Sequence, residues 1–166
     1  MEPEREAVAG AGALEEELRR AVDLAYKALA SRDRTEAELR AFLERKRAEP
    51  DAIEAAIEEL REAGYVDDAR YAQRFAEDKR SIERWGRERI ERDLLRRGVA
   101  AELVAPAVAA QDAGDERAAA VELLAERFRA GLPDDRERDR AWRLLVRRGY
   151  APELAYEAVR AHARGE

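Results

Sequence analysis

Cysteine is absent from this chain, and histidine occurs once, at His162. The first absence removes disulfides, thiolate nucleophiles and cysteine-bound metal, and it fits a reducing, cytoplasmic setting. The second leaves a Ser-His-Asp triad or a histidine metal site dependent on one residue near the chain's end, where ordering is poorest. No apolar run approaches the roughly 20 residues that a bilayer demands, so no membrane association is expected. The opening "MEPEREAVAGAGALEEELRR" is acidic and has no basic n-region followed by an apolar core, unlike a secretory signal. The "AGAG" at Ala9–Gly12 lacks the strand, lysine and helix context of a phosphate loop. Neither enzyme activity nor any cofactor or metal is expected.

Charge is what the chain has in abundance: 42% of its 166 residues are Asp, Glu, Lys or Arg, with a net charge of -6. That balance argues against indiscriminate nucleic-acid binding, but its distribution is uneven. The first 17 residues carry Glu2, Glu4, Glu6, Glu15, Glu16 and Glu17 against Arg5 alone. Two later stretches reverse the sign. One holds Arg84, Arg87, Arg89, Arg92, Arg96 and Arg97; the other holds Arg136, Arg138, Arg140, Arg143, Arg147 and Arg148. Local positive faces on an acidic protein follow.

Alanine, leucine, glutamate and arginine dominate and β-branched runs are missing, which reads as all-helical. Leu14, Leu18, Val22, Ala25 and Leu29 recur at helical steps and define a first helix after a flexible acidic leader, residues 1–13. Thr35 and Glu38 form a capping-box pattern opening a second helix with Leu39, Phe42 and Leu43. Pro50 suits the first turn of a third helix, which Gly64 can end.

The segment "LREAGYVDDARYAQRFAED", Leu60–Asp78, places two aspartates side by side. As chemistry they would be an acid–base pair. As structure, Asp67 is a helix N-cap, Asp68 complements the positive helix end, and Val66 with Tyr71 makes a hydrophobic staple. The structural reading is favoured. Tyr71, Phe75 and Ile82 then continue a buried stripe, and Tyr65 is expected to pack between repeats. Beyond it come a turn at Trp85-Gly86, a helix bearing Ile90, Leu94 and Leu95, and a stop at Gly98. Pro106 implies a kink, a late start or a short helix. Gln111–Glu116 reads as a linker. Val121, Leu124 and Phe128 mark a seventh helix, and an arginine-rich helix with Trp142 and Leu145 ends at Gly149, with Trp142 assigned to the core.

An internal repeat organises this layout. "LLRRGVAAEL" (Leu94–Leu103) superposes without a gap on "LVRRGYAPEL" (Leu145–Leu154). A degenerate copy, "LERKRAEPDAI" (Leu43–Ile53), has no turn glycine and one extra residue. The expected architecture is all-α: three tandem three-helix repeats, residues 14–64, 65–112 and 113–166, stacked into an elongated curved solenoid. Gly64, Tyr65, Asp67, Asp68, Tyr71, Phe75, Gly98 and Gly149 are structural positions in this scheme. The repeated Arg-Arg pair has no packing role in it.

"REAGYVDDARYAQRFAED" followed by "RWGRERIERDLLRRGV", with "ALASRDRTEAELRAFL" upstream, resembles the RecX family of bacterial regulators of the RecA recombinase. The resemblance is most specific in Gly64-Tyr65-Val66-Asp67-Asp68, Arg70-Tyr71-Ala72, Phe75, Gly86, Arg89-Ile90, Leu94 and Arg97-Gly98. It implies tandem three-helix repeats, no catalysis, and binding to RecA–DNA filaments that lowers ATPase, strand-exchange and coprotease activities. The sequence departs from the family pattern in its acidic leader, its glycine-free first turn, Pro106 and a divergent third repeat. Arg87, Arg89, Arg96, Arg97, Arg147 and Arg148 are the expected filament or DNA contacts, with Trp85 beside them. Against this stands a solvated helix face laced with Glu–Arg pairs such as Glu88–Arg92. Two other functions remain open: a stand-alone DNA-binding module, and a generic helical scaffold for another protein. A monomer is expected, contacting DNA mainly through the filament.

Overall fold

A computed structural model describes residues 2–110 and 112–165, and the side chains from Gly12 onward except that of Ala113. Met1, Gln111 and Glu166, at the expected leader, linker and C-terminus, lie outside the described residues. Among the described residues there are nine α-helices and no strand: α1 (Glu2–Ser31), α2 (Glu36–Arg45), α3 (Pro50–Glu62), α4 (Asp68–Ser81), α5 (Arg87–Arg96), α6 (Ala101–Ala109), α7 (Ala113–Arg127), α8 (Asp135–Arg148) and α9 (Pro152–Arg164). They form three consecutive triplets, the all-α tandem-repeat class. The acidic lead-in continues α1 as helical backbone. None of the described helices is long and apolar enough to cross a membrane.

The chain divides into two units. Unit 1 holds residues 1–71 with Arg97–Val99; unit 2 holds residues 72–96 and 100–166.

Unit 1 buries Leu39 and Leu43 of α2 and Ile53, Ile57 and Leu60 of α3 against a strip of small residues, Ala21, Ala25 and Ala28, on α1. The buried stripe of α1 is thus alanine. Leu18, Val22 and Leu29 flank it, and Leu14 is exposed. Small side chains let α2 and α3 approach closely, which the larger residues would prevent. Thr35 caps α2 by accepting the Glu38 N–H (3.1 Å) and donates its hydroxyl to the Arg97 carbonyl (2.7 Å). The box is only half made, because the Glu38 carboxylate turns to Arg97 (3.0 Å) and Arg32 (2.9 Å).

The aspartate pair resolves here. Asp67 accepts the Arg70 N–H (2.9 Å), as an N-cap does. Asp68 reaches instead to the start of α2 and accepts the Glu36 N–H (2.9 Å), so two successive carboxylates serve two different helices. Burial raises the Asp68 carboxyl above its usual range, opposed by that amide hydrogen bond. Val66 is buried, but Tyr65 is 57% exposed, its ring edge-on to Tyr26 with centroids 5.0 Å apart, and not packed between repeats.

In unit 2, Ile90 and Leu94 of α5, Val104 and Val108 of α6, and Ala72 and Ala76 of α4 are buried. A further cluster joins Leu123 and Leu124 of α7, Leu145 of α8, Tyr150, and Ala155, Ala158 and Val159 of α9. Ile82 leaves the expected stripe: α4 ends at Ser81, the chain turns, and Ile82 is 74% exposed. Trp142 packs only partly against the core and donates its indole N–H to the Pro152 carbonyl (3.1 Å). The expected linker is largely helix. Asp112 accepts the Asp115 N–H (2.8 Å), and Asp115 and Glu116 complement the N-terminal dipole, so α7 begins at Ala113. Pro106 lies inside α6, which is a short helix.

The three repeat turns share one backbone path. Residues before α3, α6 and α9 have ψ 141 (Glu49, Ala100 and Ala151), and each follows by two residues a left-handed position: Arg47 (φ 58), Gly98 (φ 82) and Gly149 (φ 91). The first copy therefore has no extra residue in its turn. An arginine occupies the glycine position.

Candidate nucleic-acid interface

Helix α5 carries Arg89, Arg92 and Arg96 at steps of three and four, which puts them on one stripe. Helix α8 ends with Leu144, Arg147 and Arg148 facing the same space. Between them is an open cleft of about 500 Å³ lined by Arg89, Arg92, Asp93, Arg96, Leu144, Arg147 and Arg148.

Backbone contact builds this cleft. Gly86, just ahead of α5, lies against Gly149, which ends α8. The Gly86 N–H donates to the Arg148 carbonyl (2.9 Å), and the Glu88 N–H donates to the Gly149 carbonyl (3.1 Å). The orphan amides at the start of one helix thus satisfy orphan carbonyls at the end of another, with dipoles aligned favourably. Only glycine fits. A Cβ on Gly86 would stand 2.5 Å from the Tyr150 nitrogen, and one on Gly149 would stand 2.6 Å from the Arg89 nitrogen. The Tyr150 hydroxyl donates to the Arg84 carbonyl (3.2 Å), and Arg148 donates to the Glu83 carbonyl.

The cleft is strongly positive. Five guanidinium groups face one carboxylate, Asp93, which Arg96 engages. Among the described residues no ion pair engages Arg92 or Arg147, and the Glu88–Arg92 pair is not made. Guanidinium groups without acidic partners, on a rigid frame, suit planar two-point recognition of phosphate or carboxylate oxygens.

Trp85 supports this array from below. The Arg89 guanidinium lies 3.8 Å from its ring centroid and Lys79 4.8 Å, while Phe75 meets it edge-on at 6.3 Å. The half-buried indole holds Arg89 by cation–π attraction, worth about 0.5–2 kcal/mol, and Arg89 also donates to the Arg147 carbonyl (3.3 Å).

Two of the arginines singled out from the sequence stand elsewhere. Arg87 faces buried Glu116 on α7, which accepts the Arg87 backbone N–H (2.8 Å). Arg97, in unit 1, donates to Glu38 (3.0 Å) and to the Tyr71 hydroxyl (3.3 Å). The repeated Arg-Arg pair does pack, contrary to the reading from the repeat: Arg97 ties α2 to α4, and Arg148 holds the Glu83 turn.

The structure adds Arg92, whose three- and four-residue steps from Arg89 and Arg96 were visible in the sequence. It also adds an adjoining hollow of about 420 Å³ that shares Leu144 and Arg147 with the cleft and brings in Arg127, Arg129 and Arg140. Its one acidic residue, Glu137, pairs with Arg140 at 3.5 Å. Arg127 and Arg129 flank Phe128, where α7 stops, and no helical spacing links them to α8. No cluster of His, Cys, Asp or Glu among the described residues could hold a metal ion.

Tandem three-helix repeats presenting a basic cleft define the class: an all-α repeat protein. Family models for the first and second three-helix domains of RecX match residues 21–60 and 67–108. Regulatory protein RecX of Mycolicibacterium vanbaalenii is 36% identical over 152 residues, covering 86% of this chain and 82% of that protein. The Thermobifida fusca protein of the same name is 32% identical, covering 95% and 86%. The Deinococcus radiodurans protein is 36% identical over 82% of this chain, which spans 65% of that relative's length. The crystal structure of RecX from Lactobacillus salivarius shares the fold, with a TM-score of 0.77 at 17% identity over 88% of this chain and 96% of that one. This chain belongs to the RecX family.

Proposed function

We propose that this chain is a non-enzymatic regulator that binds RecA–single-stranded DNA filaments in the cytoplasm and lowers RecA ATPase, strand exchange and coprotease activity during recombination and repair. Family membership supplies the class, since its relatives are named regulatory proteins. The observation that carries the molecular reading is the cleft where Arg89, Arg92, Arg96, Arg147 and Arg148 converge. A filament groove offers phosphate and protein carboxylates together, and a guanidinium array answers both. No reacting group is assigned to the protein; it acts by occupying surface.

The adjoining arginine-lined hollow favours a second reading, direct binding of a nucleic-acid backbone. A net charge of -6 weighs against strong binding to bare DNA. The DNA-dependent ATPase rate of RecA, measured with substoichiometric amounts of this protein, tests the first reading. A marked fall supports filament regulation. An unchanged rate, with the protein folded by circular dichroism, removes it and leaves direct DNA binding.

A further inference from the structure

Helices α8 and α9 leave a second concavity, about 680 Å³, that shares no residue with the arginine cleft or its adjoining hollow. Its floor is apolar: Trp142 from α8 and Tyr156, Val159 and Ala163 from α9. The Trp142 indole N–H is already given to the Pro152 carbonyl, so the ring is fixed and offers the groove hydrocarbon. Tyr156 is 58% exposed, with the Arg160 guanidinium 5.7 Å from its ring centroid. On α9 the lining steps by three and four, at Tyr156, Val159, Arg160 and Ala163; on α8 it steps through Asp135, Arg138, Asp139 and Trp142. Each helix turns one stripe toward the same groove.

The charge around this floor selects the partner. Three arginines, Arg138, Arg160 and Arg164, border it against two aspartates, and one of those aspartates is neutralised from outside the groove. Asp135 pairs with Arg138 (3.2 Å) and Asp139 with Arg143 (2.9 Å). An apolar floor in which Tyr156 and Ala163 are exposed and Trp142 is half-buried, edged by arginines, has the composition of a protein-binding hot spot.

We infer that the α8–α9 groove docks an acidic amphipathic helix of a partner protein, its aliphatic side chains on Trp142, Tyr156, Val159 and Ala163 and its carboxylates on Arg160 and the neighbouring arginines. A groove between two helices is a recurrent seat for such a helix, read by anchors at helical spacing. Nucleic acid fits less well. The floor is partly aliphatic, through Val159 and Ala163. The arginine cleft has no such floor. The groove is therefore a second contact, separate from the polyanion-binding one.

The test is fluorescence anisotropy with a labelled helical peptide of about four turns, carrying leucines at helical spacing and glutamates elsewhere. Three further probes accompany it: one with the leucines replaced by alanine, one with the glutamates replaced by lysine, and a labelled oligothymidine. Proteins are the wild type, Tyr156→Ala, Arg160→Glu, and Arg92→Glu from the other cleft. Residues 156 and 160 are exposed, so their variants keep the core intact, and circular dichroism checks this. The Leu–Glu peptide binds the wild type, and both groove variants weaken it about tenfold, while Arg92→Glu leaves it unchanged. The other two peptides bind much more weakly. Absence of Leu–Glu binding overturns the inference, as does equal binding by Tyr156→Ala. Oligothymidine binding lost specifically in the groove variants assigns the groove to nucleic acid and overturns it too. Self-association of the wild type that Tyr156→Ala abolishes assigns it to a second copy, with the same consequence.

Discussion

Replacing Gly86 with alanine tests how the arginine cleft is assembled. The added methyl would lie 2.5 Å from the Tyr150 nitrogen and closer still to the Gly149 carbonyl, all backbone atoms that no rotamer change can move aside. Gly86 does not have a positive φ, so the cost comes from contact and not from torsional strain. Overpacking of this kind costs about 1–3 kcal/mol. Displacement also breaks the two backbone hydrogen bonds at 2.9 and 3.1 Å, at about 1 kcal/mol each. The sum, about 3–5 kcal/mol, is a large part of what holds an ordinary domain folded. Urea unfolding read by tryptophan fluorescence is the right assay, because both tryptophans, Trp85 and Trp142, belong to unit 2. The midpoint falls by about 1 M or more. Gly131→Ala is the control. There φ is +81 but nothing lies within 4 Å of the new methyl, so only torsional strain of about 1–2 kcal/mol applies. Equal effects of the two substitutions would refute the close-contact argument, and an unchanged Gly86→Ala midpoint would refute the docking of Gly86 on Gly149.

Other outcomes follow from the same geometry. Arg47→Gly relieves a left-handed arginine (φ 58) and raises the stability of unit 1 by about 1 kcal/mol or less, because glycine also loosens the unfolded chain; the far-UV circular dichroism transition reports it. Burial pushes the Tyr150 phenol up to about 12, against about 10 for a free tyrosine. The neutral phenol's contribution is complete below the unfolded value and is lost as pH rises from there through the folded one. Wild-type unit 2 thus weakens across that alkaline window, and Tyr150→Phe flattens the decline while losing about 1 kcal/mol at neutral pH with its hydrogen bond to Arg84. A parallel decline in the phenylalanine variant would contradict this. Ile82→Ser changes stability by no more than about 0.5 kcal/mol, since Ile82 is exposed.

How much of this was legible beforehand depends on the range of the interaction. Asp67 as a cap, Pro50 at a helix start and the left-handed glycines are set by neighbours within a few residues, and the sequence displays them. The stripe of α1 was legible at Ala25 and at the flanking Leu18, Val22 and Leu29, but helical periodicity ranks leucine above alanine and so passed over Ala21 and Ala28, which close packing against α2 and α3 demanded. Ile82 misled because nothing local marks α4 as ending one residue earlier. The arginines illustrate the limit most directly. Charge and repeat named Arg89, Arg96, Arg147 and Arg148 together with Arg87 and Arg97. Only the fold separates the cleft-lining group from Arg87, held near Glu116, and Arg97, held by Glu38 and Tyr71. Arg127 and Arg129 reach the adjoining hollow through tertiary proximity alone.

The central claim is that the cleft grips a RecA–DNA filament more strongly than it grips DNA. The direct measurement compares binding to bare and RecA-coated single-stranded DNA, for the wild type and for Arg92→Glu combined with Arg147→Glu, across a salt series. These two side chains have no ion pair to lose among the described residues, so the fold should survive their reversal. The account predicts clear preference for the coated strand, and at least about a tenfold loss in the double variant with a shallower salt slope. Equal affinity for bare and coated strands, or an unaltered double variant, would contradict it.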